Sequence, residues 1–176
     1  MLLLISDANI LIDMEAGALM PKLFALPFQF AIPDILYWEE IEPGTPGLED
    51  LGLRVLEISG EYVAYAAGLP TKYGTAPSPN DYLALALALA LALALALALA
   101  RQEGCPLLTG DQALKQAAQA EDISVMGSVW LLRAMVENQL ISVDEALAAL
   151  ARMKEAKRRL PWIEAERILN GLREGQ

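Results

Sequence analysis

Apolar residues in this chain fall into short runs separated by stretches of helical spacing. Leu2-Leu3-Leu4-Ile5 is such a run, 107–109 reads as another buried strand, and 28–32 and 123–126, each interrupted by one polar residue, are further strand candidates. Unbroken runs of this length mark strands buried on both faces, as in a parallel sheet. Residues 53–58 alternate instead, with the period of a half-buried strand. Between the runs, helices are predicted over Ala8–Ala16, 34–40, Gln112–Ala120, 129–137, 143–157 and 162–170. Local chemistry supports several of their ends. Asp34 can cap its helix, Ser142 and Glu145 stand at the spacing of a capping box, and Pro161 opens the last helix that Gly171 closes. Residues 43–47 read as a turn and 70–78 as a Gly/Pro/Ser-rich loop. Ser78-Pro79-Asn80-Asp81 then has the order of a helix start, with a capping hydroxyl, a proline in the first turn and an acid behind it. Strands alternating with helices predict an α/β fold, a doubly wound parallel sheet flanked by helices. Residues 1–130 hold the sheet, and 131–176 form an α-helical C-terminal extension of the same domain.

Residues 83–100 are nine Leu-Ala units in succession. The period of two suggests a strand, but Ala is a poor strand former, while Leu and Ala are among the best helix formers. Helix is therefore the prediction. At about 100° per residue, leucines at every second position step by about 200° and land all round the cylinder. Such a helix has no polar face and must be buried on every side.

Composition narrows the chemistry. The chain has 176 residues, enough for one domain with a sizeable core, and it contains one cysteine, Cys105, and no histidine. A Cys/His zinc site, a disulfide framework and a histidine-based triad are excluded. No basic segment precedes the apolar start, so no secretory signal is read, and the cytoplasm is the expected compartment. The net charge of −10 argues against a nucleic-acid partner until its distribution is considered. Residues 1–100 carry a balance of −9, whereas 101–176 are nearly neutral at −1. The later part includes a basic cluster of Arg152, Lys154, Lys157, Arg158 and Arg159. Such a run is either a solvated helix face or a contact for phosphates, the former being the more usual meaning.

Four acids stand at informative places: Asp7 after the first strand, Glu40 in the second helix, Asp81 at the start of the Leu-Ala helix, and Asp111 after the strand at 107–109. As isolated residues, Asp7, Asp81 and Asp111 are explained as helix caps and Glu40 as a surface residue. As a set they allow another reading. In doubly wound sheets, sites form beyond the carboxyl ends of strands. Carboxylates gathered there repel one another unless hard cations such as Mg²⁺ or Mn²⁺ sit among them.

The segments around these acids are Ser6-Asp7-Ala8-Asn9-Ile10-Leu11-Ile12-Asp13, Tyr37-Trp38-Glu39-Glu40-Ile41, Asn80-Asp81-Tyr82-Leu83 and Leu107-Leu108-Thr109-Gly110-Asp111-Gln112-Ala113-Leu114. In that order they resemble the four motifs of the PIN domain family of nucleases, over roughly residues 1–130. Gly127-Ser128-Val129-Trp130 and Leu160-Pro161-Trp162 look like a subgroup of short bacterial and archaeal members related to VapC-type toxins. The resemblance implies a PIN-like fold and a metal-dependent endoribonuclease using Mg²⁺ or Mn²⁺. Asp7, Asp81 and Asp111 would be metal ligands, and Glu40 (or Glu39 in its stead) would hold a metal-bound water. Asn9 and Thr109 would support the aspartates by hydrogen bonds. RNA is the implied substrate, and a protein antitoxin is the implied partner.

One feature departs from the family. The resemblance implies about 18 residues between the third and fourth aspartates, whereas Asp81 and Asp111 stand 30 apart. Twelve extra residues equal six Leu-Ala units and, as straight helix, add about 18 Å and about 120° of rotation. On that geometry, the strand at 107–109 is not expected to reach its place beside the first strand of its own chain. The surplus can bulge into water at the cost of exposed apolar surface. It can instead span a membrane, which 18 apolar residues just permit but which would separate Asp81 from Asp111. The favoured expectation is a domain swap through 83–100, giving a homodimer or higher oligomer with a composite site. Two other functions remain beside the nuclease: a PIN-fold module that binds nucleic acid or a partner with impaired catalysis, and a membrane-anchored protein whose acids only cap helices.

Overall fold

The computed structural model describes residues 1–72 and 83–173, with side chains outside 69–91. Five strands, β1 (Leu2–Ser6), β2 (Phe28–Pro33), β3 (Arg54–Leu56), β4 (Leu107–Leu108) and β5 (Val125–Met126), form one sheet in the order β3-β2-β1-β4-β5. Every neighbouring pair is parallel. The apolar runs thus became strands, and β1 lies at the centre with Leu4 and Ile5 fully buried. Because β2 and β4 flank it on opposite sides, the direction of winding reverses at β1.

Helices cover both faces. On one lie α1 (Ala8–Ala16), α2 (Met20–Leu23), α7 (Ser128–Glu137), α8 (Val143–Glu155) and α9 (Trp162–Gly171), packed on one another. The predicted capping box opens α8, with Ser142 and Glu145 each bonded to the other's backbone N–H. On the other face, α5 (Leu83–Glu103) lies against β1, β2 and β4, between α4 (Gly60–Lys72) and α6 (Gln112–Ala120). The predicted helix at 34–40 divides into a single turn α3 (Asp34–Leu36) and a π-helical turn over Tyr37–Ile41. Pro33 rather than Asp34 takes the cap position, and Asp34 is the first helical residue.

The Leu-Ala run is helical, and its described side chains are buried, except Leu93, which is partly buried. Ala94 to Ala100 are all at least 97 % buried. Its final turn is held from three directions. Gln102 accepts from Ser59 N–H and donates to the Glu57 carbonyl, and Arg101 reaches Tyr65 and Glu121. Gly104 then adopts φ +63, where Cys105 N–H returns to the Ala100 carbonyl and closes the helix.

Two expectations are corrected by this arrangement. The strand after the run does reach β1 within its own chain, with Ile5 opposite Leu107 and Ser6 opposite Leu108. The geometric reason for a domain swap is therefore removed. A Leu-Ala repeat is unchanged by a shift of two residues, so a helix displaced by twelve presents the same side chains at every position. The phase error of about 120° consequently has no packing cost. The C-terminal end of the helix is clamped by Gln102 and Arg101. The second correction is α4, which covers α5 and was not predicted from sequence. Gly60, Gly68 and Pro70 disguise it, yet Tyr62, Tyr65 and Ala66 pack into the core from one side of it. It continues through Pro70 to Lys72, into the segment expected to be a loop. The rest of that loop and the helix start at Ser78–Asp81 lie outside the described residues.

Among the described residues no helix is long and apolar enough to cross a membrane. Of the run's described leucines, Leu95, Leu97 and Leu99 are buried in the domain's own core, and Leu93 is partly buried against it.

Candidate active site

Where the winding reverses, the ends of β1 and β4 lead to two acids, each at the start of the helix that follows its strand. Asp7 directly follows β1 and caps α1, with Oδ1 accepting from Ile10 N–H at 2.9 Å. Asp111 follows β4 by three residues and caps α6, with Oδ1 accepting from Leu114 N–H at 2.8 Å. Thr109 joins them. Its hydroxyl donates to Asp7 Oδ2 at 2.5 Å and accepts from Asp111 N–H at 3.1 Å. Both acids are thus helix caps, as their sequence positions indicated, and they are also tied into one structure at the switch point of the sheet.

Their environments differ. Asp7 is 1 % exposed, and burial pushes its carboxyl up from an ordinary value of 3.8 to about 6. The Thr109 and Ile10 hydrogen bonds oppose that rise, while the nearby charges of Asp13 and Asp111 add to it. Asp111 is half-buried, and its second oxygen has no hydrogen-bond partner among the described residues.

Asp13 was not singled out by sequence, although it lies within the first acidic segment. It is 6 % exposed on α1, where Ser128 Oγ donates to one oxygen at 2.8 Å and Arg158 Nε to the other at 2.6 Å. Arg158 also donates to Asn9 Oδ1 at 3.1 Å. Asn9 therefore bonds the C-terminal extension, and among the described residues no hydrogen bond joins it to an aspartate. A readable signal existed: Asn9 and Asp13 are four apart on a helix whose other residues are apolar except Glu15, and they share one face. The basic cluster is accordingly neither one solvated face nor one phosphate patch. Arg158 is turned inward onto α1, Arg152 donates twice to the Gly17 carbonyl, and Arg159 stays exposed.

Glu40 lies in the π-helical turn, exposed beside Glu39. Partial burial raises its pKa, and the charge of Glu39 adds to the effect. Asp81 lies outside the described residues. Among those residues no three His, Cys, Asp or Glu side chains gather as a metal cluster. The described part of the site is the Asp7–Asp111 pair, whose all-oxygen donor set fits Mg²⁺ or Mn²⁺. Such ions keep several waters and often bind through one or two carboxylates. Cys105 offers no alternative chemistry, since burial pushes its thiol up to about 11 and keeps it protonated.

Beside the pair opens a cleft of about 190 Å³. Thr109 and Gly110 form the wall nearest the acids, and Lys115, Met126, Trp130 and Arg159 are among its other lining residues.

In comparison with known proteins, a family model described as a PIN domain matches residues 3–174, both the sheet and the C-terminal helices. No curated protein matches the chain.

Proposed function

Because the chain belongs to the PIN domain family, whose members are in general nucleases that use divalent metals, we propose that it is a metal-dependent endoribonuclease. The observation that carries this reading is the joining of Asp7 to Asp111 through Thr109 at the switch point between β1 and β4. Asp7 and Asp111 would hold Mg²⁺ or Mn²⁺, with Asp81 as the third ligand that the family resemblance supplies. When bound, the ion acidifies a water and stabilises the charge that develops during in-line attack on a phosphodiester. The protein's own part is positional. Thr109 fixes the orientation of Asp7, the helix starts hold both carboxylates in place, and Glu40 orients the attacking water. The toxin-like role, with a cytoplasmic site of action and a protein antitoxin as brake, is supported by the resemblance of Gly127–Trp130 and Leu160–Trp162 to short toxin-related members.

The purified protein should cleave single-stranded RNA with Mg²⁺ or Mn²⁺ and fail to do so in EDTA. Asp111→Asn should lower the rate by about a thousandfold, the scale of a metal's contribution of several kcal/mol. Cleavage that survives EDTA would refute the mechanism. In cells, growth arrest on expression of the wild type but not of Asp111→Asn is the corresponding result for a toxin.

A second reading is favoured by one observation: among the described residues Asp7 and Asp111 are joined, and Glu40 does not gather with them into a three-acid cluster. On that reading the lengthened helix has left a PIN module that binds RNA or a partner but cuts poorly. Deleting twelve residues of the run separates the two. The fold should persist, because the same Leu and Ala side chains refill the buried positions. A nuclease cuts in both lengths, whereas an impaired module gains cleavage only when shortened.

A further inference from the structure

Resting on the nuclease reading, we propose that the cleft beside Thr109 receives one base of the RNA strand, with Lys115 and Arg159 on its flanking phosphates. Position is the first argument. Thr109 both ties Asp7 to Asp111 and lines the cleft, so a group seated there is a neighbour of the carboxylate pair. Size is the second. A cleft of about 190 Å³ is below the roughly 300–1,000 Å³ of pockets that enclose drug-sized ligands, and it suits a single ring system. Its lining is the third. Met126, Val129, Trp130, Leu160 and Pro161 supply apolar surface, and the Trp130 ring rests on Phe28, with centroids 5.5 Å apart, which braces it. Aromatic and apolar surface of this kind takes a base without reading its sequence.

Charge is the fourth argument and decides the class of ligand. The chain carries −10 overall, yet the charged side chains that line this cleft are Asp13, Lys115 and Arg159. Asp13 is already neutralised by Arg158 and bonded by Ser128. Lys115 and Arg159 come from separate elements, α6 and the segment between α8 and α9, and both are exposed without an ion-pair partner among the described residues. An apolar slot with two unpaired cations at its sides complements a base between phosphates. Within the basic cluster, this assigns the phosphate contact to Arg159 and removes Arg158 from it.

The test uses a short single-stranded RNA with Ca²⁺ in place of the catalytic ion. Lys115→Ala and Arg159→Ala should each weaken binding by about three- to tenfold and reduce the slope of log K against log salt by about 0.7. Lys115→Arg should restore both. Substituting an abasic nucleotide, position by position, should at one position weaken wild-type binding about tenfold, within the range for lost stacking. The same substitution should have no further effect on Trp130→Leu. In a Trp38→Phe/Trp162→Phe background, intact RNA should quench the remaining Trp130 fluorescence, and the critical abasic RNA should not.

Unchanged salt slopes in the Lys115 and Arg159 variants, or abasic losses equal in wild type and Trp130→Leu, would overturn the subsite. If RNA is still cleaved with Mn²⁺, only the subsite has failed. RNA bound as described but left uncut by Mn²⁺ would keep the subsite and overturn the nuclease reading. Absence of RNA binding would overturn both.

Discussion

Replacing Arg158 by alanine should destabilise the protein by about 2–4 kcal/mol, while the same change at the adjacent Arg159 should cost less than about 0.5 kcal/mol. The contrast arises because two neighbours in one basic run face different surroundings. Arg158 has a side chain 24 % exposed and ends on Asp13, whose own side chain is 8 % exposed. Removing the guanidinium leaves Asp13 buried with only the Ser128 hydrogen bond, and an unpaired buried charge is costly. It also releases Asn9. The fourfold separation on the helix that brings Asn9 and Asp13 to one face thus makes Arg158 a link between the first helix and the C-terminal extension. For a domain of this size the loss corresponds to a fall in Tm of roughly 5–15 °C, read by thermal denaturation. Adding Asp13→Asn to Arg158→Ala should recover part of it, because the stranded charge is then gone. Equal, small effects at Arg158 and Arg159 would mean that the ion pair contributes nothing in solution.

Asp7→Asn should remove cleavage while stabilising the metal-free protein at neutral and alkaline pH. The sign follows from the raised pKa. Asp7 titrates at about 6 in the folded chain against an ordinary 3.8, so the folded state holds its proton more tightly than the unfolded state does. The favourable contribution of the protonated acid is complete below about pH 4 and is lost as pH rises through about 6. Above that, wild type bears a buried carboxylate that asparagine does not. Two pKa units set an upper limit of about 3 kcal/mol, and the weaker bond to Thr109 reduces the net gain to about 1–2 kcal/mol. In EDTA the variant should melt several degrees above wild type at about pH 8, and the difference should vanish near pH 4. Added Mn²⁺ should raise the melting temperature of wild type alone, since only a native state with an intact site gains from binding. An Asp7→Asn protein that is less stable than wild type at every pH would show Asp7 to be a structural cap. A gain in stability combined with a loss of cleavage is the mark of a carboxylate kept for chemistry.

Much of this architecture was legible in the chain because its signals are local. A strand buried on two faces needs only an unbroken apolar run, and a helix start needs only a side-chain oxygen within three residues of free N–H groups. Asp7, Asp111 and the Ser142–Glu145 box could therefore be placed from sequence, as could the helical state of the Leu-Ala run and its need for burial on every side. The alternation of strands and helices further determined that Asp7 and Asp111 stand at the same edge of a parallel sheet. Three things could be decided only in the folded chain. Arg158 meets Asp13 across 145 positions, and no periodicity reports on a partner so distant. The cleft draws on α6, β5, α7 and the segment before α9, so that its apolar slot and its two cations exist only after those elements pack. The position of the Leu-Ala helix along its own axis was likewise undetermined, because every register of a two-residue repeat offers the core the same leucines and alanines. The packing of α4 along it and the clamp at Gln102 and Arg101 select one register, and that selection lets β4 reach β1 in the same chain.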